Sequence, residues 1–209
     1  MTLLAFFLAG ITTMYYSFRS DINFLLVKQD VVHEILWRTA FYIHITGGIL
    51  ALTIGPLQLL KRSRTKKYRP VHRALGKTYI IAILGLAAPS GFYMALFAEG
   101  GPWASTGFAI MAMLWFFTTW QAYTFARERN FKEHGKWMVR SYALTFSAVT
   151  LRLWVPVASI YFGMQPSFVI TLSAWTSWMI NIAVAELLLA MNRRLKPAVA
   201  QSVSSTSLA

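Results

Sequence analysis

The sequence predicts an all-α fold, a polytopic membrane bundle of six transmembrane helices with both termini cytoplasmic. Three observations carry this. The 209 residues are 56% apolar and 13% charged, against about 45–50% and about 25% in an ordinary soluble domain, and the mean hydropathy is +0.50. Six apolar runs approach the roughly 20 residues that cross a hydrocarbon core of about 30 Å. Sixteen of the 20 Lys and Arg residues fall in three short stretches, between those runs or after the last of them.

The first run, Met1 to Phe18, has no charged segment beyond its amino terminus and no small-x-small cleavage site before Arg19. It reads as a retained span rather than a removed signal peptide. From Asp21 to Arg38, Ile22, Leu25, Leu26, Val32, Ile35 and Leu36 recur at roughly helical spacing among Asp, Lys and Gln. That is the pattern of an amphipathic helix on the outer surface or a run-in to the second span. The other runs are Thr39 to Leu60, Lys77 to Phe97, Ala104 to Ala126, Met138 to Phe162 and Phe168 to Ala190. Residues 1–196 make one transmembrane domain, and the small, polar tail 197–209 is expected to be disordered and cytoplasmic. A span, basic loop, histidine and returning span occur at 39–97 and again at 104–162, a faint parallel repeat.

Charge sets the orientation, because cytoplasmic loops carry the excess of Lys and Arg. The first stretch holds Lys61, Arg62, Arg64, Lys66, Lys67 and Arg69, with Arg73 and Lys77 just beyond. The second holds Arg127, Arg129, Lys132, Lys136 and Arg140, and the third Arg193, Arg194 and Lys196. On a six-span path all three share one side. The other side carries Arg19, Lys28 and Arg38 with Asp21, Asp30, Glu34 and Glu99. The net charge of +13 therefore belongs to loops at a lipid surface, the expected partner. No basic stripe interleaved with exposed aromatics calls for nucleic acid.

Several chemistries are excluded. There is no cysteine, hence no disulfide, thiolate metal site or Cys nucleophile. His33-Glu34 is followed by Trp37 where a zincin needs its second histidine, and there is no Walker loop, G-x-S-x-G elbow or dinucleotide fingerprint. No metal site is expected, and no reaction is named.

Small and polar stripes mark the faces that pack inward. They are Gly47, Ala51 and Gly55; Ser141, Thr145, Ala148, Arg152 and Ser159; and Ser173, Ser177 and Asn181. Close helix packing explains the glycines; room for a flat cofactor is the sharper reading. Arg152 stands about 20 Å along its span from Met138, at roughly 1.5 Å per residue, in the outer half. It cannot shed its proton. Its acceptor is either backbone carbonyls and hydroxyls or an anionic ligand, such as a cofactor propionate, a lipid phosphate or a transported anion. Pro156, four residues on, has no N–H for the Arg152 carbonyl, so a kink is expected.

His44 lies on the small-residue face of the second span. His72 and His134 each close a basic loop and open a returning span, at one inner depth. Helix N-termini and neighbouring cations favour neutral imidazole, the form that ligates a metal or haem. Glu186 reaches the same level and could orient one ring.

The stretches His44-x-x-Gly47-Gly48 with Gly55-Pro56-x-Gln58, His72-Arg73-x-x-Gly76-x-x-Tyr79, His134-x-x-Trp137-Met138-x-Arg140-Ser141 and Arg152-Leu153 resemble a bacterial family of predicted integral membrane proteins with a domain of unknown function. The resemblance runs from the second span to the sixth and implies a multi-pass inner-membrane protein. Histidines at span ends also resemble two-haem b-type membrane cytochromes, although those pair histidines on both faces.

Three functions follow as expectations. The first is haem b binding or membrane electron transfer, with His72 and His134 as axial ligands, His44 and Arg152 towards the other face, and a quinone or membrane redox protein as partner. The second is a small anion or proton-coupled transporter built on Arg152 beside Pro156. The third is a non-catalytic membrane assembly protein.

Overall fold

The structure is a computed structural model that describes residues 2–60 and 65–206, with side chains described as far as Asn192 except at Pro166. Lys61, Arg62 and Arg64 of the first basic stretch lie outside the described residues.

All regular structure among the described residues is helical. Helix α1 spans Thr2–Thr12 and runs into a 3-10 turn, Thr13–Ser17. Helix α2 spans Ile35–Leu59. Helix α3 (Arg69–Ile81), a π-helical segment (Ala82–Ala87) and α4 (Ala88–Ala95) form one rod. Helices α5 (Gly101–Arg127), α6 (Phe131–Phe162) and α7 (Pro166–Thr206) follow.

Four stretches are long and apolar enough to cross a membrane: Ile35–Leu59, Lys66–Ala95, Phe131–Phe162 and Ser167–Asn192. Two of the six expected spans fall short of that standard. The N-terminal apolar helix Thr2–Ser17 is too short. Helix α5 has 27 residues, but Ser105, Thr106, Gly107, Thr118, Thr119 and Gln121 dilute its apolar run.

Helix α2 packs on the α3–α4 rod and on α6, and α5 packs on α4 and α6. The four close into a ring, with α7 outside against α5 and α6 and α1 against α2 and α6. Ile54, Tyr79, Ile83, Trp115, Met138, Tyr142 and Leu144 fill the ring's centre. The small-residue stripes face inward except at Arg152, which is exposed. Gly47, Ala51 and Gly55 are buried, as are Ser141, Thr145, Ser173 and Ser177. A Cβ on Gly47 would sit 2.5 Å from the Ala82 carbonyl oxygen, and one on Gly55 2.1 Å from the Tyr142 ring. Backbone meets backbone at the first site and backbone meets an aromatic face at the second.

The π-helical segment has a local cause. Pro89 brings no N–H to the ladder, and the Ala88 N–H reaches back five residues to Ile83. The Ala87 carbonyl, at the end of this segment, also receives a side chain from α2.

The segment from Asp21 to Arg38 departs from the single amphipathic helix its spacing suggests. It folds as a short 3-10 helix, Asn23–Lys28, and turns before α2 begins. Leu25 and Val32 are drawn under Tyr15, Trp37 and Phe41 to cap this end of the bundle. The cap also takes in a cation. Lys28 is 3% exposed, and its Nζ donates to Glu99 Oε1 at 2.8 Å and to the Phe97 carbonyl. An ammonium buried this far needs its acceptors. Glu99→Gln should lower stability by about 1.5–3 kcal/mol, the range for a hydrogen bond to a charged group. Thermal melting in detergent checks it, with exposed Glu34→Gln as the unaffected control.

Candidate functional site

Asn130 starts α6: its side chain accepts the Glu133 N–H, an Asn cap with Glu three residues on. That cap puts His134 in the first turn, half-buried. Its Nδ1 lies 2.8 Å from the Ala122 carbonyl of α5. A carbonyl only accepts, so Nδ1 carries the hydrogen and the Nε2 lone pair is left for another partner. His44 repeats the arrangement near the other end of the bundle. Its Nδ1 lies 2.8 Å from the carbonyl of Ala87, the last residue of the π-helical segment. A Cβ on Gly91 would meet the same ring at 2.8 Å, so Gly91 makes room for it.

His72 is half-buried in the first turns of α3. A bridge between α3 and α6 relates it to His134. The Tyr79 hydroxyl meets Ser141 Oγ at 3.0 Å and Thr145 Oγ1 at 3.1 Å. His72 precedes Tyr79 by seven residues, and His134 precedes Ser141 by seven. Both helices run the same way from the basic end, and each histidine lies about 10 Å back along its own helix from its bridge residue, at roughly 1.5 Å per residue. Seven residues is close to two turns, so each histidine also shares a face with its bridge residue. Gly76 and Met138 occupy those faces in between.

The bridge belongs to a larger buried network. Thr119 Oγ1 and Ser141 Oγ are 2.7 Å apart, and Trp115 Nε1 donates to Thr145 Oγ1 at 3.0 Å. Thr145 and Thr119 donate to the carbonyls of Ser141 and Trp115. One proton assignment then serves every hydroxyl: Ser141 donates to Thr119, and Tyr79 donates to Ser141 or Thr145. A satisfied buried network of this kind fixes the relative height of its helices. The Tyr142 hydroxyl and those of Ser173 and Ser177 are buried without a hydrogen-bond partner.

Glu186 accepts two bonds from Arg140, Nε at 2.5 Å and Nη2 at 3.0 Å. The Arg140 guanidinium also lies 4.6 Å from the Trp137 ring centroid. Arg152 is exposed, and its Nη1 donates to the Ala148 carbonyl one turn back at 3.2 Å. It lies near enough to act electrostatically on His44 and Tyr15. Helix α6 continues past Pro156 without a break. His44 and Arg152 thus share one region, away from the basic end where α3 and α6 begin. No group of three or more His, Asp or Glu residues that could hold a metal ion occurs among the described residues.

A family model described as "Predicted membrane protein (DUF2306)" matches residues 41–189, well over half of the chain. The chain belongs to the DUF2306 family. No curated protein and no solved structure matches it. The DUF2306 stretch takes in His44, His72, His134 and Arg152, and the network between α3, α5 and α6. Helix α1 and most of the capping segment precede it. In this DUF2306 protein, sequence reasoning found Ser141 and Thr145, met Tyr79 only as part of the family pattern, and missed Thr119 and Trp115. Tyr79, seven residues beyond His72, and the Thr118-Thr119 pair in an apolar run were the available signals.

Proposed function

We propose that this membrane protein binds a b-type haem near its basic end, between His72 of α3 and His134 of α6, and serves membrane electron transfer. The observation that supports the reading is the Tyr79–Ser141 bridge between α3 and α6, with each histidine seven residues back from its bridge residue on its own helix. The donor set fits. The Ala122 carbonyl takes Nδ1–H of His134, the outer contact that orients a ligating imidazole and raises the basicity of its free nitrogen. Haem held there would supply one-electron chemistry. Tyr79, Ser141 and Thr145 hold the two ligand-bearing helices in register. Near the other end, His44 offers an acceptor to a quinol hydroxyl and Arg152 a cation to an anionic group.

The reading includes six crossings with both termini in the cytoplasm. Its support is the single sidedness of the basic stretches and the packing of α5 between α4, α6 and α7. The chain has no cysteine of its own, so single-cysteine labelling is direct. Cysteines at Lys67 and Lys132 should both react from the cytoplasmic side, and opposite labelling would end the six-span path.

The test of function is the absorption spectrum of detergent-solubilised protein expressed with haem supplied. A Soret band, with α and β bands on reduction, is the expected result. A colourless, folded protein overturns the reading.

A further inference from the structure

We propose that Lys66, in the 3-10 turn Lys66–Tyr68, with the face of α3 bearing Arg69, Arg73 and Lys77, binds the phosphate of an anionic phospholipid headgroup, independently of any haem. These four cations, with Pro70 and Ala74, line a cleft of about 450 Å³. Their spacing of three, four and four residues puts them on one side of the helix, and all four are exposed.

Two observations point to a ligand. The first is charge left unanswered. Among the described residues none of the four cations has an ion pair, while at the same end Lys136 pairs with Glu133 and Arg140 with Glu186. Like charges held along one short face repel, and an anion from outside relieves that repulsion. The second is polarity along the same face. One turn beyond Lys77 it presents Ile81, 64% exposed, followed by exposed Gly85. Cations therefore give way directly to an apolar track on the rod Lys66–Ala95, itself apolar enough to cross a membrane. A free phosphate would use only the cations. A phospholipid, with its phosphate in the cleft and its chains along Ile81, uses both. Basic pockets beside membrane helices recognise such headgroups.

The experiment is native mass spectrometry of the full chain in detergent, titrated with dioleoyl phosphatidylglycerol, with dioleoyl phosphatidylcholine, and with phosphatidylglycerol in the presence of millimolar inorganic phosphate. The wild type should retain phosphatidylglycerol over phosphatidylcholine. Arg69→Gln with Arg73→Gln should weaken that retention roughly 25-fold, at about five-fold per charge. Arg129→Gln with Lys132→Gln, an equal loss of exposed charge at the turn before α6 and in its first turn, should leave it within about two-fold. Equal loss in both double variants would make the attraction generic and overturn the site. So would absence of a headgroup preference. Displacement of the lipid by inorganic phosphate would overturn the assignment to a lipid.

Discussion

A His134→Ala variant is expected to lose its entire Soret absorbance while keeping its fold. The imidazole makes one hydrogen bond, to the Ala122 carbonyl at 2.8 Å, and it is half-buried at the start of a helix. Its removal should cost about 0.5–1.5 kcal/mol of stability, which leaves a folded protein to examine. Ligation is different in kind, because no other side chain on that face of α6 can replace the nitrogen. The next residues there, Met138 and Ser141, are already buried in the core and the hydroxyl network. His72→Ala should behave alike. His44→Ala should leave the band in place, since His44 bonds Ala87 near the other end of the bundle. A Soret band that survives at His134→Ala but not at His44→Ala would move the cofactor to the other end. Should flux in proteoliposomes vanish at Arg152→Gln while every histidine proves dispensable, the transporter reading would replace the haem reading.

Gly47→Val should be among the most damaging single substitutions in the chain, and Gly48→Val among the mildest. At Gly47 an added Cβ lands 2.5 Å from the Ala82 carbonyl oxygen and 3.0 Å from the Ala87 nitrogen. Those are main-chain atoms of the π-helical segment and cannot rotate away. Relief requires α2 to separate from the α3–α4 rod, which also pulls the Ala87 carbonyl from His44. The cost should be about 3 kcal/mol or more, the upper end for overpacking a close-packed interior. At Gly48 nothing lies within 4 Å of the added atom, and the change should stay within about 0.5 kcal/mol. Thermal melting of both variants in one detergent decides it. Equal destabilisation would mean that the close approach of α2 to the π-helical segment is not what the glycine serves.

Much of the architecture was legible because lipid imposes strong rules on composition. Apolar length, loop charge and small-residue stripes each answer to a single physical demand, so Gly47, Ala51, Gly55, Ser141, Ser173 and Ser177 could be assigned to inward faces before any coordinates. The placement of His72 and His134 in the first turns of α3 and α6 was legible too, since each follows a basic loop. The partners of the imidazoles were not. Ala87 and Ala122 contribute main-chain carbonyls, which look alike at every position in a sequence. The role of Tyr79 was hidden because its hydroxyl partners lie more than 60 residues away. Lys28 belonged by pattern to the surface, yet Glu99 and the Phe97 carbonyl draw it inside.

Taken alone, the amino-acid order determined a helical membrane protein, its family, and which end of the molecule collects the cations. These are sums over many residues, and a sum survives ignorance of any one contact. The tertiary structure decided the rest: the register of α3 against α6, the meeting of His44 with the Ala87 carbonyl, the tautomers of His44 and His134, and the cleft at Arg69 and Arg73. Each depends on one atom meeting another across the bundle, and such meetings exist only once the helices have packed.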